Sequence, residues 1–383
     1  MERIRQEAER NSTFELLRIF AMFIIVFHHE AQHGLWFAPD APMTGAFVLR
    51  ELSYGTVGAI GNWVFILVSG YFISASSFSW KKVFRLWFQV FSISVIVCVA
   101  AWIAKISVVN FGENVYTEQG FFAAARTVSR RSVVQSFLPC YFGNNWFAVA
   151  YLVFFLCVPL LDKLISSLSR KEHFRAIVLL TVLGTVVPLL PMEGFYRPSA
   201  IFTFILGFFV ARYVRLYDPP VLASAWRNAL VAVVLFVLIC VYKVCCIRIL
   251  PHLSISCENV IKLERRFFDI NNSLPLMLIA LCLLCAFRSL AIPYNRFINL
   301  IASTTFGVYL FHENLLINKW WWHAVCKLDE WLASPFLLAW MLLCALGTFA
   351  FCAVLELVRK QCVERPLLAL IFHRKTAGLR RLD

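Results

Sequence analysis

The sequence predicts an all-α, polytopic membrane bundle of about ten transmembrane helices, with both termini in the cytoplasm. Three observations predict it: the composition, a run of long apolar segments, and the side on which Lys and Arg gather. Hydrophobic residue types make up 61% of the 383 residues and charged types only 15%, against about 45–50% and about 25% in soluble proteins. Such a chain has too little polar surface for a water-soluble fold and is too apolar to remain disordered.

Ten apolar segments supply the predicted helices, because a hydrocarbon core about 30 Å thick needs about 20 apolar residues of helix. The first segment is not a cleaved signal peptide, since its apolar run holds Glu15 and Arg18 and ends in HHE without a small-residue cleavage site. Ser12 or Thr13 is expected to cap its start. The ten predicted spans are residues 14–32, 57–77, 83–106, 145–162, 174–191, 199–216, 227–246, 272–289, 296–318 and 335–357.

The formal net charge of +14 is explained by topology. A nucleic-acid-binding protein needs a basic groove with aromatic platforms, and none is visible, so no nucleic-acid partner is expected. The connections on one side of the membrane, together with the ends of the spans that they join, hold 23 of the 36 Lys and Arg residues. Connections rich in Lys and Arg stay in the cytoplasm. We therefore expect a cytoplasmic segment over residues 1–13, a membrane domain over 14–358 and a basic cytoplasmic tail over 359–383.

The first predicted helix carries more ionisable residues than the other spans, most of which have few, and such residues mark candidate functional sites. Arg18 and His29 are eleven residues apart, which is about three helical turns, so they share one face roughly 16 Å apart. The cation could hold an anionic ligand from the cytoplasm, and the imidazole could move a proton near the outer side. His28 and Glu30 flank His29, and His33 rejoins the same face.

Two other interpretations of this helix stay open. Arg18 could extend to the lipid headgroups while His28 and His29 lie at the outer interface. His29 and His33, at i and i+4, could also hold zinc, but no carboxylate or Cys partner is in view, so no metal is expected.

Three further segments stand out. Ser69 and Gly70 could allow close helix packing, and the cations of Lys82-x-x-Arg85 follow on the cytoplasmic side. Aromatic and polar residues open the fourth span, and a second His-Glu pair lies near the outer end of the ninth. These last candidates are Asn145, Trp146, Tyr151, His312 and Glu313.

With these residues the chain resembles the acyltransferase 3 family, integral-membrane proteins that O-acylate cell-envelope polysaccharides. The match extends along nearly the whole chain. Five motifs in order carry the resemblance: Arg18 to His29 within LLRIFAMFIIVFHHEAQHG, then VFILVSGYF, Lys82-x-x-Arg85, NWFAVAYLVFFLCVPLLDKLI and STTFGVYLFHENLL. Lys82 replaces the more usual Arg, which loses the planar fork. The acidic residue that one branch carries near Trp146 is absent, and Ala150 and Tyr151 occupy that region.

The resemblance implies an acyl-CoA-dependent O-acyltransferase of the bacterial cell membrane. An acyl group, with acetyl expected, would pass from cytoplasmic acyl-CoA to a hydroxyl of an extracytoplasmic glycan or lipid-linked sugar. His29 would act as the general base, with His28 as an alternative, and no cofactor would be bound permanently. The cations implied for the donor phosphates are Arg18, Lys82 and Arg85. The residues implied to orient the base or bind the acceptor are His28, Glu30, Asn145, Trp146, Tyr151, His312 and Glu313.

A second class of function is transport of a polysaccharide or small molecule without acyl transfer, since polar residues within spans suit that as well. No repeat relates the two halves, and the His residues and cations gather on the first two helices, which favours the enzyme. Cys140, Cys257 and Cys326 fall in connections placed outside, where a disulfide could form.

Overall fold

Helices form every regular element in the described part of the computed structural model, and no strand occurs there. This confirms the all-α prediction. The structure describes residues 11–35, 44–73, 78–105, 128–142, 145–189, 199–253, 255–266, 268 and 273–371. Residues 1–10 and 372–383, which belong to the predicted cytoplasmic segment and tail, lie outside the described residues.

The fifteen labelled helices are numbered here in chain order within the described residues. They are α1 Ser12–Gly34, α2 Gly45–Leu52, α3 Gly58–Ile73, α4 Trp80–Ile103, α5 Arg130–Phe137, α6 Trp146–Ser167, α7 Arg170–Thr181, α8 Ala200–Tyr217, α9 Ala225–Ile249, α10 Cys257–Arg266, α11 Leu274–Arg288, α12 Arg296–Ala302, α13 Thr305–His312, α14 Asn318–Trp320 and α15 Leu337–Arg359. A π-helical turn, Ser53–Val57, joins α2 to α3, and a second, Trp321–Val325, extends α14.

Eight helical segments in the described residues are long and apolar enough to cross a membrane. The last of them continues beyond α15 to Ile371, so the helix runs across the predicted boundary between residues 358 and 359. The eighth predicted span, residues 272–289, forms the shorter apolar helix α11. The structure is a membrane bundle, as the composition predicts.

The ninth predicted span differs from the prediction of one continuous helix over 296–318. It is broken into α12 and α13 at Ser303 and Thr304. The hydroxyls of Ser303, Thr304 and Thr305 donate to the carbonyls of Leu300, Ile301 and Ala302, respectively, at 2.7–2.9 Å. Three successive hydroxyls bonded to carbonyls three residues back offer the backbone an alternative to a regular helix.

Helix α1 lies centrally and packs against α3, α12, α13 and α15. Its cap is Asn11, whose side chain accepts from the Thr13 N–H, rather than Ser12 or Thr13 as predicted. Those two residues instead tie α1 to the segment around α12: the Asn295 N–H donates to the Ser12 hydroxyl at 2.7 Å, and the Thr13 hydroxyl donates to the Leu290 carbonyl at 3.2 Å.

Glycines set the approach of α3 to its neighbours. A Cβ at Gly58 would lie 2.1 Å from Cγ of His28 on α1. A Cβ at Gly70 would lie 3.1 Å from the Phe208 Cα on α8, which agrees with the close packing predicted for the Ser-Gly segment. His28 of α1 is thereby held against α3.

Candidate active site

A pair of buried histidines forms the centre of the site. Nδ1 of His29 on α1 lies 2.8 Å from Nε2 of His312 on α13. Nδ1 of His312 lies 2.6 Å from the Val308 carbonyl. A carbonyl only accepts, so Nδ1 of His312 carries a proton; when both rings are neutral, its Nε2 accepts from the Nδ1–H of His29. The remaining lone pair is then on Nε2 of His29, which is the form a general base requires.

Glu313 adds a carboxylate beside this pair. Its Oε1 and Oε2 lie 3.1 and 3.2 Å from Nε2 of His33, and Oε2 lies 3.5 Å from Nδ1 of His29. The backbone carbonyl of His33 accepts from Nε2 of His323 at 2.9 Å. The contacts of Glu313 with His29 and His33 therefore bring the two His-Glu segments of the sequence together.

His29, His312 and Glu313 are also the residues that could hold a metal among those described, since one ligand atom from each lies within 4.8 Å of the others. The 2.8 Å between the two ring nitrogens is a hydrogen-bond distance. Two nitrogens at a tetrahedral zinc ion stay about 3.3 Å apart, given Zn–N bonds of about 2.0–2.1 Å. The geometry therefore favours a proton between the rings.

His28 and Glu30 turn away from this pair. The His28 ring stacks on Tyr54, with centroids 5.3 Å apart and an interplanar angle of 13°. Glu30 is fully buried, and neither of its carboxylate oxygens has a hydrogen-bond partner; it faces Cys344 of α15. Neither residue hydrogen-bonds to His29, whereas His312 does and Glu313 lies 3.5 Å from its Nδ1.

A cavity of about 190 Å³ lies towards the start of α1. Arg18 lines it, and Nη1 of Arg18 donates to Oε1 of Glu15 at 2.9 Å. Tyr151 lines the same cavity, so it lies beside Arg18, whereas the resemblance implied a place on the acceptor side. The lining residues are Arg18, Phe65, Ser69, Phe147, Tyr151, Ala302, Ser303, Thr305 and Phe306.

The two cations of the Lys82-x-x-Arg85 motif do not line this cavity. Both lie on exposed positions of α4. The cation that reaches the cavity rim is Lys360, whose Nζ donates to the backbone carbonyl of Ser303. The neighbouring Arg359 is buried and binds Glu356 through Nε at 2.7 Å and Nη2 at 2.8 Å.

An aromatic partition separates the cavity from the histidine pair. We define it as Phe147, Phe306 and Tyr309. Phe147 and Phe306 line the cavity, and both contact the Tyr309 ring, with centroids 5.7 and 6.3 Å away. The Tyr309 ring lies 6.1 Å from that of His29 on its other side. These three rings thus form a continuous line of contacts from the cavity that Arg18 lines to the His29 ring, across which the predicted mechanism needs a passage.

The start of α6 borders this partition. Asn145 is buried at the N-cap position, but its side chain makes no capping hydrogen bond and its Oδ1 has no partner. Trp146 is 41% exposed and contacts Phe147 at the edge of the bundle. Of the two, only Asn145 is buried.

The disulfide that the sequence left open does not occur among the described cysteines. Cys140 and Cys326 are free thiols, and the side chain of Cys257 lies outside the described residues. The Cys326 thiol contacts Cys344 of α15, a pairing that no sequence spacing indicates.

Comparison with known proteins gives one match. The acyltransferase 3 family model, described as an acyltransferase domain, matches residues 11–356. The chain belongs to this family. Its general class is therefore that of a membrane acyltransferase. The match favours an enzyme over the alternative of a transporter. No curated relative and no solved structure matches the chain.

Sequence reasoning did not single out two residues that lie beside the histidine pair and the cavity. Tyr309 precedes His312 by three residues, so the helical period places both on one face, and this signal could have found it. Lys360 reaches the cavity only because α15 passes α12 near the break at Ser303, and no local pattern indicates that.

Proposed function

We propose that the protein is a membrane-embedded O-acyltransferase of the bacterial cell membrane. It would move an acyl group, acetyl in the first instance, from cytoplasmic acyl-CoA to a hydroxyl of an extracytoplasmic glycan or lipid-linked sugar. The observation that carries the proposal is the hydrogen-bonded chain from the Val308 carbonyl through His312 to His29. It leaves Nε2 of His29 as the basic nitrogen inside a buried site.

The reaction follows from that nitrogen. The acceptor hydroxyl attacks the thioester carbonyl carbon while Nε2 of His29 takes its proton. The carbon–sulfur bond then breaks, and the proton passes from His29 to the CoA thiolate. His29 is cationic between these steps, and Oε2 of Glu313, 3.5 Å from its Nδ1, stabilises that charge. The acyl group ends on the acceptor oxygen and free CoA leaves.

The donor would bind in the cavity that Arg18 lines. A guanidinium has five N–H donors in a fork that matches phosphate oxygens, and the contact with Glu15 uses one of them. Lys360 at the rim supplies a second cation, and Lys82 and Arg85 on the exposed face of α4 would attract the anionic donor from outside the cavity. The acyl end must then pass the aromatic partition to reach His29.

The alternative base, His28, has a poorer position. Its ring is stacked on Tyr54 and lies against Gly58, and no second histidine or carboxylate orients it through a hydrogen bond. His29 has the hydrogen bond with His312 and the Glu313 carboxylate 3.5 Å from its Nδ1, which supports His29 as the base.

The test is the O-acetyl content of envelope glycans, measured by mass spectrometry in cells that lack or express the protein. We expect His29→Ala to lower acetylation by at least about 10²-fold, the usual contribution of a general base, with equal protein in the membrane. The matched control is His252→Ala, because His252 is exposed in the turn that follows α9. Full acetylation by His29→Ala would refute the assignment.

Arg18 needs a separate measurement. In proteoliposomes that turn over acetyl-CoA, Arg18→Ala should raise KM for acetyl-CoA more than it lowers kcat, because the phosphates are bound away from the reacting carbon. An unchanged KM would exclude Arg18 from the donor site.

A further inference from the structure

We propose that the Tyr309 hydroxyl, together with the N-terminus of α6, forms the oxyanion site of the acyl transfer. The inference rests on the proposed function and adds a catalytic residue to it. It concerns the thioester carbonyl oxygen, which neither the cation of Arg18 nor the base His29 accounts for.

The Tyr309 hydroxyl is buried without a hydrogen-bond partner. The residue as a whole is 5% exposed. A buried tyrosine hydroxyl normally finds a partner, and leaving one without a partner costs free energy. A ligand that accepts this hydrogen bond would remove the cost, so the unpartnered hydroxyl indicates a bound oxygen atom.

The ring of Tyr309 lies between the two halves of the proposed reaction. On one side it contacts Phe147 and Phe306, which line the donor cavity. On the other side lie His29 and His312, with ring centroids 6.1 and 6.3 Å away. A thioester moving from the cavity towards His29 must pass this side chain.

The backbone of Phe147 provides the second donor. Its N–H faces the Tyr309 hydroxyl oxygen without reaching hydrogen-bond geometry. It belongs to the first turn of α6, where the N–H groups have no partner within the helix. The N-cap residue, Asn145, leaves them uncapped, and its own buried Oδ1 is also without a partner. The Tyr309 O–H and the Phe147 N–H are therefore two donors at one helix N-terminus, and the positive end of the helix dipole favours an anion there.

In the reaction, attack by the acceptor oxygen moves the carbonyl π electrons onto the carbonyl oxygen. The resulting oxyanion accepts hydrogen bonds from the Tyr309 O–H and the Phe147 N–H. Tyr309 keeps its proton throughout. When the carbon–sulfur bond breaks, the electron pair returns to form the ester carbonyl.

The first test is kinetic, in proteoliposomes with acetyl-CoA. Tyr309→Phe should lower kcat by about 10²- to 10³-fold, the effect of losing one oxyanion donor, and leave KM for acetyl-CoA unchanged. Because the hydroxyl has no partner, Phe keeps the packing and the thermal midpoint should not fall. Tyr217→Phe is the matched control, since Tyr217 packs on His173 near the start of α7, away from this site. Wild-type kcat in Tyr309→Phe would overturn the inference.

The second test does not depend on turnover. The ketone analogue 2-oxopropyl-CoA, ¹³C-labelled at its carbonyl, cannot transfer an acyl group. Its infrared carbonyl stretch should lie at lower wavenumber in the wild type than in Tyr309→Phe, because the hydrogen bond weakens the C=O bond. Binding with identical frequencies would overturn this inference alone. Failure of the wild type to bind the analogue would refute the proposed donor, and this inference with it.

Discussion

Replacement of His312 tests how the structure makes His29 basic at Nε2. His312→Ala removes the acceptor that lies 2.8 Å from Nδ1 of His29. The His29 N–H becomes a buried donor without that partner, or the proton moves to Nε2, where it blocks the base. His312→Gln places an amide oxygen near the position of the lost Nε2, so the hydrogen bond and the useful tautomer return.

The magnitude follows from the cost of a buried donor without a partner, about 1–3 kcal/mol. At 1.36 kcal/mol for each factor of ten, kcat of His312→Ala should fall about 5- to 160-fold. Oε2 of Glu313 lies 3.5 Å from the same nitrogen and can take over part of the contact, so we expect a value near the lower end. His312→Ala with Glu313→Ala removes both acceptors and should reach the upper end.

The assay is acetyl transfer from acetyl-CoA in proteoliposomes, with kcat and KM determined separately. KM for acetyl-CoA should stay constant across the series, because the donor phosphates are bound elsewhere. Recovery by His312→Gln is the decisive comparison, since a merely structural role for His312 would not select a side chain that accepts a hydrogen bond. Equal losses in His312→Ala and His312→Gln would refute the tautomer argument.

Two further predictions concern packing and buried charge. Gly58→Ala places a Cβ 2.1 Å from Cγ of His28, so it should lower both the thermal midpoint and kcat. The control Gly347→Ala, with no atom within 4 Å of its Cβ, should remain at least as stable as the wild type. Equal midpoints for the two variants would contradict the close approach of α3 to His28. Arg359→Met leaves the buried carboxylate of Glu356 without its bidentate partner and should lower the free energy of unfolding by about 3–5 kcal/mol. Unfolding in detergent measures this change. Adding Glu356→Gln to Arg359→Met removes the buried charge and should recover part of the lost stability.

The membrane class could be predicted from the sequence because it depends on composition and length alone. Most predicted spans appear as helices close to their predicted bounds. The ninth predicted span is instead broken, because three adjacent hydroxyls hydrogen-bond to carbonyls of α12. Hydropathy does not report such hydrogen bonds. Hydropathy also does not identify helix caps, and the N-cap of α1 is Asn11 rather than the predicted Ser12 or Thr13.

Within the site, local spacing identified Arg18 and His29 on one face of α1 and noted the second His-Glu pair on a distant segment. These are statements about periodicity along one helix, which sequence carries directly. Which nitrogen of His29 is basic, which neighbour orients it, and that Tyr151 shares a cavity with Arg18 depend on contacts between helices far apart in the chain. Those contacts arise from side-chain packing and hydrogen bonding across the bundle, which no single segment encodes, so only the tertiary structure decides them.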